Sequence, residues 1–238
     1  MSNTLLEYMK NRFGEQEIIS QPRKKPGPLI TISREVGCGG VLLASQLAKE
    51  LNKRYSTTKW RVLSKEVFYE SAKELNMNPD KIRRIFRHES YMFNDILNAF
   101  GSKKFKSERK IINTVKEVIH SLAEEGFCII VGRAAHIIAY DIKNAVHVRV
   151  VAPQEYRILN LIQNKGVSRM SAIQFMERVE KERSCLRKAF REETLETTCF
   201  DLCLNRSSFS DSDFQNLIIY AAERKNIFSD YFFSSISY

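Results

Sequence analysis

From Leu29 onward, short apolar runs alternate with longer stretches whose apolar residues recur every three or four positions. LITIS (29–33), WRVLS (60–64), FCIIVG (127–132), AVHVRVV (145–151) and FDLCLN (200–205) are compact and rich in β-branched residues, which predicts five strands. The unbroken apolar character of FCIIVG suits a strand buried on both faces. Between them lie helical patterns. Leu43, Leu47, Ala48 and Leu51 form one stripe after the first strand. Residues 65–125 read as helical text interrupted at Asn78-Pro79 and at GSKKFKS (101–107), with Ile111, Val115, Val118 and Leu122 on one face of the last helix. Residues 153–191 are helical again, and 210–228 open with a capping-type SDSD before another apolar stripe. Strand and helix alternating in this way predict an α/β fold, a parallel sheet with helices on both faces.

The flanks follow a different pattern. Leu5, Leu6, Met9 and Phe13 sit near helical spacing, and QPRKKPGP then breaks regular structure, so 1–27 read as a helix and linker. An aromatic tail, FSDYFFSSISY, closes the chain. At 238 residues, 43% hydrophobic and 28% charged, the composition is that of a globular chain with one substantial core, or one core with a smaller appended lobe. No apolar run reaches the roughly 20 residues of a membrane span, and no secretory-type leader is recognisable, so a cytoplasmic protein without membrane association is expected. The five cysteines (38, 128, 185, 199, 203) form an odd set without a C-x-x-C pair or a histidine at zinc spacing. Reduced thiols and no metal site of their own are expected.

The net charge of +10 is unevenly spread. Residues 1–120 carry 23 Lys+Arg against 13 Asp+Glu, whereas 121–238 carry 15 of each; 81–110 alone holds nine basic and three acidic residues. Such asymmetry points to an anionic partner: a phosphorylated small molecule, nucleic acid or an acidic protein surface. Basic and aromatic residues alternate in 81–110 as on a nucleobase-stacking surface. However, Phe86, Phe93, Ile96, Leu97 and Phe100 at helical spacing are explained more simply as core, so nucleic acid ranks last.

Ligands of open α/β sheets bind at the carboxyl ends of the strands. The first such end is Ser33-Arg34-Glu35-Val36-Gly37-Cys38-Gly39-Gly40-Val41, a glycine-rich turn leading into a helix. Glycines let backbone N–H groups converge on phosphate oxygens, and the helix start adds partial positive charge. The turn departs from G-x-x-x-x-G-K-[ST]: Gly40 stands where the lysine would be, and Val41-Leu42 where a Mg²⁺-binding hydroxyl would follow. A turn needed only for close strand–helix packing is the alternative. Arg133 comes just after the third strand, Arg157 lies early in the helix after the fourth, and Arg183, Arg187 and Arg191 follow at i, i+4, i+8. That stripe is either a cationic, phosphate-facing row or a solvated face paired with Glu180 and Glu182.

In order and spacing, ITISREVGCGG, SLAEEGFCIIVGR, VHVRVVAPQEYRI, EKERSCLRKAF and FDLCLN resemble the cytidylate kinase-like family, relatives of the P-loop nucleoside monophosphate kinases. The resemblance implies a three-layer nucleotide-kinase fold over 28–228, with a helical acceptor-side insertion at 65–110 and a lid at about 157–191. It implies phosphoryl transfer from ATP with Mg²⁺ to a (d)CMP-like nucleotide. Residues 33–41 would cradle the donor phosphates, Arg133 would hold the acceptor phosphate, and Arg157, Arg183 and Arg187 would act from the lid. Asp201 and Asn205 would be structural, and His136 a core or crevice-edge residue. Arg34 is a candidate substitute for the missing lysine. Because the family's Asp after Arg133 is here Ala134, a nucleotide-binding protein without turnover is the second reading; the oligomeric state is left open.

Overall fold

The structure is a computed structural model and describes residues 26–55, 58–64, 102–190 (backbone alone for 102–111) and 200–228. The expected N-terminal helix, most of the insertion at 65–110 with its break at Asn78-Pro79, Arg191, Cys199 and the tail after Phe228 lie outside these residues.

Five parallel strands form one sheet: β1 (Leu29–Arg34), β2 (Arg61–Leu63), β3 (Cys128–Val131), β4 (Ala145–Val151) and β5 (Leu202–Asn205), in the order β2-β3-β1-β4-β5. β1 lies at the centre, with Ile32 opposite Val131 on one side and Val148 on the other. The described helices are α1 (Gly40–Arg54), α2 (Ser102–Glu125), the single turn α3 (Ala135–Ile138), α4 (Gln154–Lys165), α5 (Arg169–Phe190) and α6 (Asp211–Arg224).

Side chains alternate across the sheet. Ile30, Ile32, Val146, Val148 and Val150 pack against Leu43, Leu47 and Leu51 of α1 and Phe214, Ile218 and Ile219 of α6. On the other face, Leu29, Cys128, Ile130 and Ala145 pack against Val115, Ile119 and Leu122 of α2 and Leu186 and Phe190 of α5. A smaller core joins Val36 at the end of β1 to Ile158 and Leu161 of α4 and Ala172 and Met176 of α5.

Three sequence expectations change in detail. Residues 102–107 of GSKKFKS are already helical, α2 beginning at Ser102, since lysines and serines without a proline are compatible with helix; what precedes them lies outside the described residues. The helical text at 153–191 divides in two, α4 ending on a left-handed cap at Gly166. The third strand is shorter than 127–132 because Phe127 and Gly132 both have positive φ and close it at each end. The start at 210–213 is a full capping box, in which Ser210 accepts from Asp213 N–H and the Asp213 carboxylate accepts from Ser210 N–H.

Candidate functional site

The carboxyl ends of β1, β3 and β4 bring together most of the arginines singled out in the sequence. Arg34, the last residue of β1, folds its side chain across two glycines. Its Cγ would lie 2.8 Å from a Cβ at Gly40, and its Nη1 only 2.1 Å from a Cβ at Gly132. Any larger residue at either position would displace the guanidinium. Gly132 also has φ +75°, a conformation that disfavours side chains. Arg133 and Ala134 continue in the left-handed region at φ 60° and 55°. This turn throws the Arg133 side chain back toward the end of β2, where its Nε donates to Ser64 O at 2.9 Å.

The surroundings of Arg34 are cationic. Burial first, then Arg183, Arg133 and Arg149, lower its pKa to about 9, against a raising effect from Glu180. Burial likewise lowers Arg183 and Arg187, which lie near Arg149 and near each other, while Glu180 opposes the shift in both. A cluster of guanidiniums that lower one another's pKa favours a polyanion, and the planar fork of arginine suits phosphate oxygens.

The glycine turn is braced from behind. Glu35 accepts from Ala152 N–H at 3.1 Å and pairs with Arg157 Nε at 3.4 Å, and Arg157 also donates to Ala152 O. The Arg157 stem lies under Gly37, where an added Cβ would meet its Cβ at 2.7 Å, and Asn160 donates to Gly37 O. Arg157 therefore supports the turn from α4 and is not among the arginines that perturb Arg34. From α5, Arg183 donates to Arg34 O at 2.8 Å, and the Glu180 carboxylate accepts from Val36 N–H at 2.6 Å. Within α1, Leu43 N–H bonds back to Gly39 O, leaving the first amides of the helix directed out of its start. Gly39 has open space about it, and Val41 and Leu42 are exposed. The Cys38 thiol is buried and pushed up to about 11, so it is no nucleophile.

A polar row leads inward from this cluster on the α3/α5 face of the sheet. Ser33 accepts from Arg149 Nη1 at 2.9 Å, and one rung deeper Thr31 Oγ1 is 2.8 Å from His147 Nδ1. His136 of α3 is buried and stacks on Phe200, with ring centroids 4.5 Å apart. Burial holds both imidazoles neutral, lowering His136 to about 3 and His147 to about 4. Asp201 accepts from His147 N–H and pairs with Lys225, and Asn205 accepts from Ser207, both structural contacts. Sequence reading passed over Arg149 and gave Glu180 only a pairing role. The available signal for Arg149 was a lone charge at an alternate position of an otherwise apolar strand.

Donors for a metal are sparse. Val41 and Leu42 carry no ligating oxygen, the Ser33 hydroxyl is taken by Arg149 and the Glu35 carboxylate by Arg157 and Ala152. No group of three His, Cys, Asp or Glu side chains converges among the described residues. These residues do not fit a protein-ligated Mg²⁺. No described helix is long and apolar enough to cross a membrane.

Among solved structures, the chain is similar to an uncharacterized protein from Eubacterium ventriosum ATCC 27560, at 20% identity and a TM-score of 0.58, covering 82% of this chain and 98% of that one. It is also similar to shikimate kinase from Acinetobacter baumannii in complex with shikimate (14% identity, TM-score 0.43, covering 87% and 96%). A third is the Mycobacterium tuberculosis APS kinase CysC in complex with AMPPNP and APS (13%, TM-score 0.42, covering 84% and 99%). None of the curated proteins matches the sequence. The profile of the cytidylate kinase-like family matches residues 29–208, a span running from the first residue of β1 past the end of β5. The fold is a nucleotide kinase-like α/β fold, and the chain belongs to the cytidylate kinase-like family.

Proposed function

We propose that the protein transfers the γ-phosphoryl group of ATP to a (d)CMP-like nucleotide, with Arg34 supplying the cation that the glycine turn lacks. The observation that carries this reading is the path of Arg34 over Gly40 and Gly132, which brings its guanidinium between the ends of β1 and β3. In transfer, the bond from the γ-phosphorus to its bridging oxygen breaks as one to an acceptor phosphate oxygen forms, and ADP leaves. Little covalent help is needed; positioning and neutralisation of the phosphoryl oxygens do most of the work. The amides at the start of α1 and Arg34 would hold the donor phosphates. Arg183 and Arg187 would reach the transferred group from α5, and Arg133 would hold the acceptor phosphate. Arg157 is a positioning residue that fixes the turn through Glu35 and Gly37. The insertion at 65–110 would cover the acceptor and α4–α5 would form the lid, in a core domain of 28–228 acting on cytoplasmic nucleotides.

A second reading, nucleotide binding without turnover, is favoured by Ala134 at the position of the family's Asp and by the missing lysine and hydroxyl. ADP release measured with CMP, dCMP, UMP and AMP as acceptors separates the two. Turnover with a cytidine nucleotide that drops about 10²–10³-fold in Arg34→Ala is expected, in line with removal of one preorganised donor. Binding of ATP without turnover on any acceptor selects the second reading, and turnover unchanged in Arg34→Ala removes Arg34 from the reaction.

A further inference from the structure

We infer that Glu180 is an internal competitor for the phosphate site: its carboxylate occupies the Val36 amide at the glycine turn and must leave before a ligand phosphate can use that donor. This rests on the phosphate-site reading above.

The geometry is specific. Glu180 Oε1 is 2.6 Å from Val36 N, a short charge-assisted bond, and the same oxygen is 3.5 Å from Arg183 Nη1. Arg183 Nη1 in turn donates to Arg34 O at 2.8 Å. One carboxylate oxygen thus engages a backbone amide of the turn and an arginine of the lid helix together, as a phosphate oxygen would. The other carboxylate of the turn, Glu35, is excluded from this role because Ala152 N–H and Arg157 hold it on the far side.

Glu180 is also able to leave. Its side chain is 30% exposed and stands on α5, so rotation carries it into water without opening the core. Release frees Arg183 from the carboxylate it pairs with and, among the described residues, removes one of the two polar links from α5 to the end of β1, the Arg183 bond to Arg34 O being the other. Phosphate arrival would then loosen the lid helix: the incoming anion takes Val36 N–H and Arg183, and the helix that carried Glu180 is left on the turn by the Arg34 O contact and apolar packing. The alternative role, a fixed clamp that shapes the turn for binding, predicts the opposite effect of removing the charge.

The test uses inorganic pyrophosphate as the probe, titrated calorimetrically into the full chain and into Glu180→Gln and Glu180→Ala. Removing one charge-assisted competitor should tighten binding by about tenfold. Binding that is unchanged or weaker in both folded variants overturns the inference while leaving the phosphate site intact. Should the variants not fold, the unmodified protein decides: the Val36 amide resonance must shift on saturation with pyrophosphate, and a Val36 amide that stays in place refutes displacement. Absence of pyrophosphate binding in every form removes the phosphate site, and the inference with it.

Discussion

Alternate residues of the same two strands do opposite work. On β1 and β4 the positions facing α1 and α6 are Ile30, Ile32, Val146, Val148 and Val150, all buried hydrocarbon, until Arg34 ends β1 over Gly40 at the start of α1. The positions between them, facing α3 and α5, are Thr31, Ser33, His147 and Arg149, joined in two polar rungs. One face of the sheet is built to exclude water and the other to hold charge near its carboxyl end. The lesson is economy of scaffold: a strand fixed by apolar packing on one side can carry strained, poorly neutralised groups on the other without losing its position.

This contrast can be broken most forcefully from the apolar side. Phe214→Ala, which empties a fully buried site under β4, should cost about 3–5 kcal/mol of stability in urea unfolding. Its affinity for an ATP analogue, measured on the folded fraction, should change little; an equal loss of affinity would mean the faces are not separable. Gly132→Ala attacks the charged carboxyl end of the sheet. A methyl at positive φ against Arg34 should cost about 2 kcal/mol, with the guanidinium displaced and nucleotide affinity reduced about tenfold or more by calorimetry.

Acid sharpens the comparison further. His136 and His147 titrate near 6.5 when unfolded but at about 3 and about 4 in the fold. Between pH 6.5 and 4 the unfolded chain therefore binds more protons, and stability falls as pH falls. The loss should be on the order of 1–3 kcal/mol, and unfolding midpoints of His136→Gln should depend less on pH across that window than those of the parent. A parallel pH dependence in the variant would remove His136 from the account. The smallest effect belongs to Ser33→Ala, which leaves Arg149 without its rung partner. About 1 kcal/mol is expected in thermal or urea unfolding, with no cavity contribution. A loss as large as that of Phe214→Ala would show that the polar face also bears structural load.

The elements were legible because their signals are local. Five apolar runs, a capping box at Ser210 and the stripe of Leu43, Leu47 and Leu51 each announce themselves within a dozen residues. The pieces missed or changed depend on contacts between distant segments or on a single backbone angle. Nothing near Glu180 in sequence says that it meets Val36, 144 positions away. Arg157 looks like a lid arginine by position, yet its Nε turns inward to Glu35 and Ala152, because β4 ends beside the turn. The division at Gly166 and the trimming of the third strand at Phe127 and Gly132 follow from left-handed residues, for which hydrophobic periodicity carries no mark. What was legible of the candidate site was its residue types at strand ends; which of them face one another was not.

The run Gly132-Arg133-Ala134, three left-handed residues in succession, sets a limit on how the molecule can be improved. Relieving the two non-glycine positions would be an easy route to a hardier protein, since glycine or asparagine tolerates that conformation where arginine and alanine are strained. At Arg133 the gain in durability would come at the loss of a guanidinium close to Arg34. Thermostabilising selection left to itself should therefore drift toward glycine at 133 and produce robust, inert descendants, whereas selection for a charged ligand keeps the strained arginine in place.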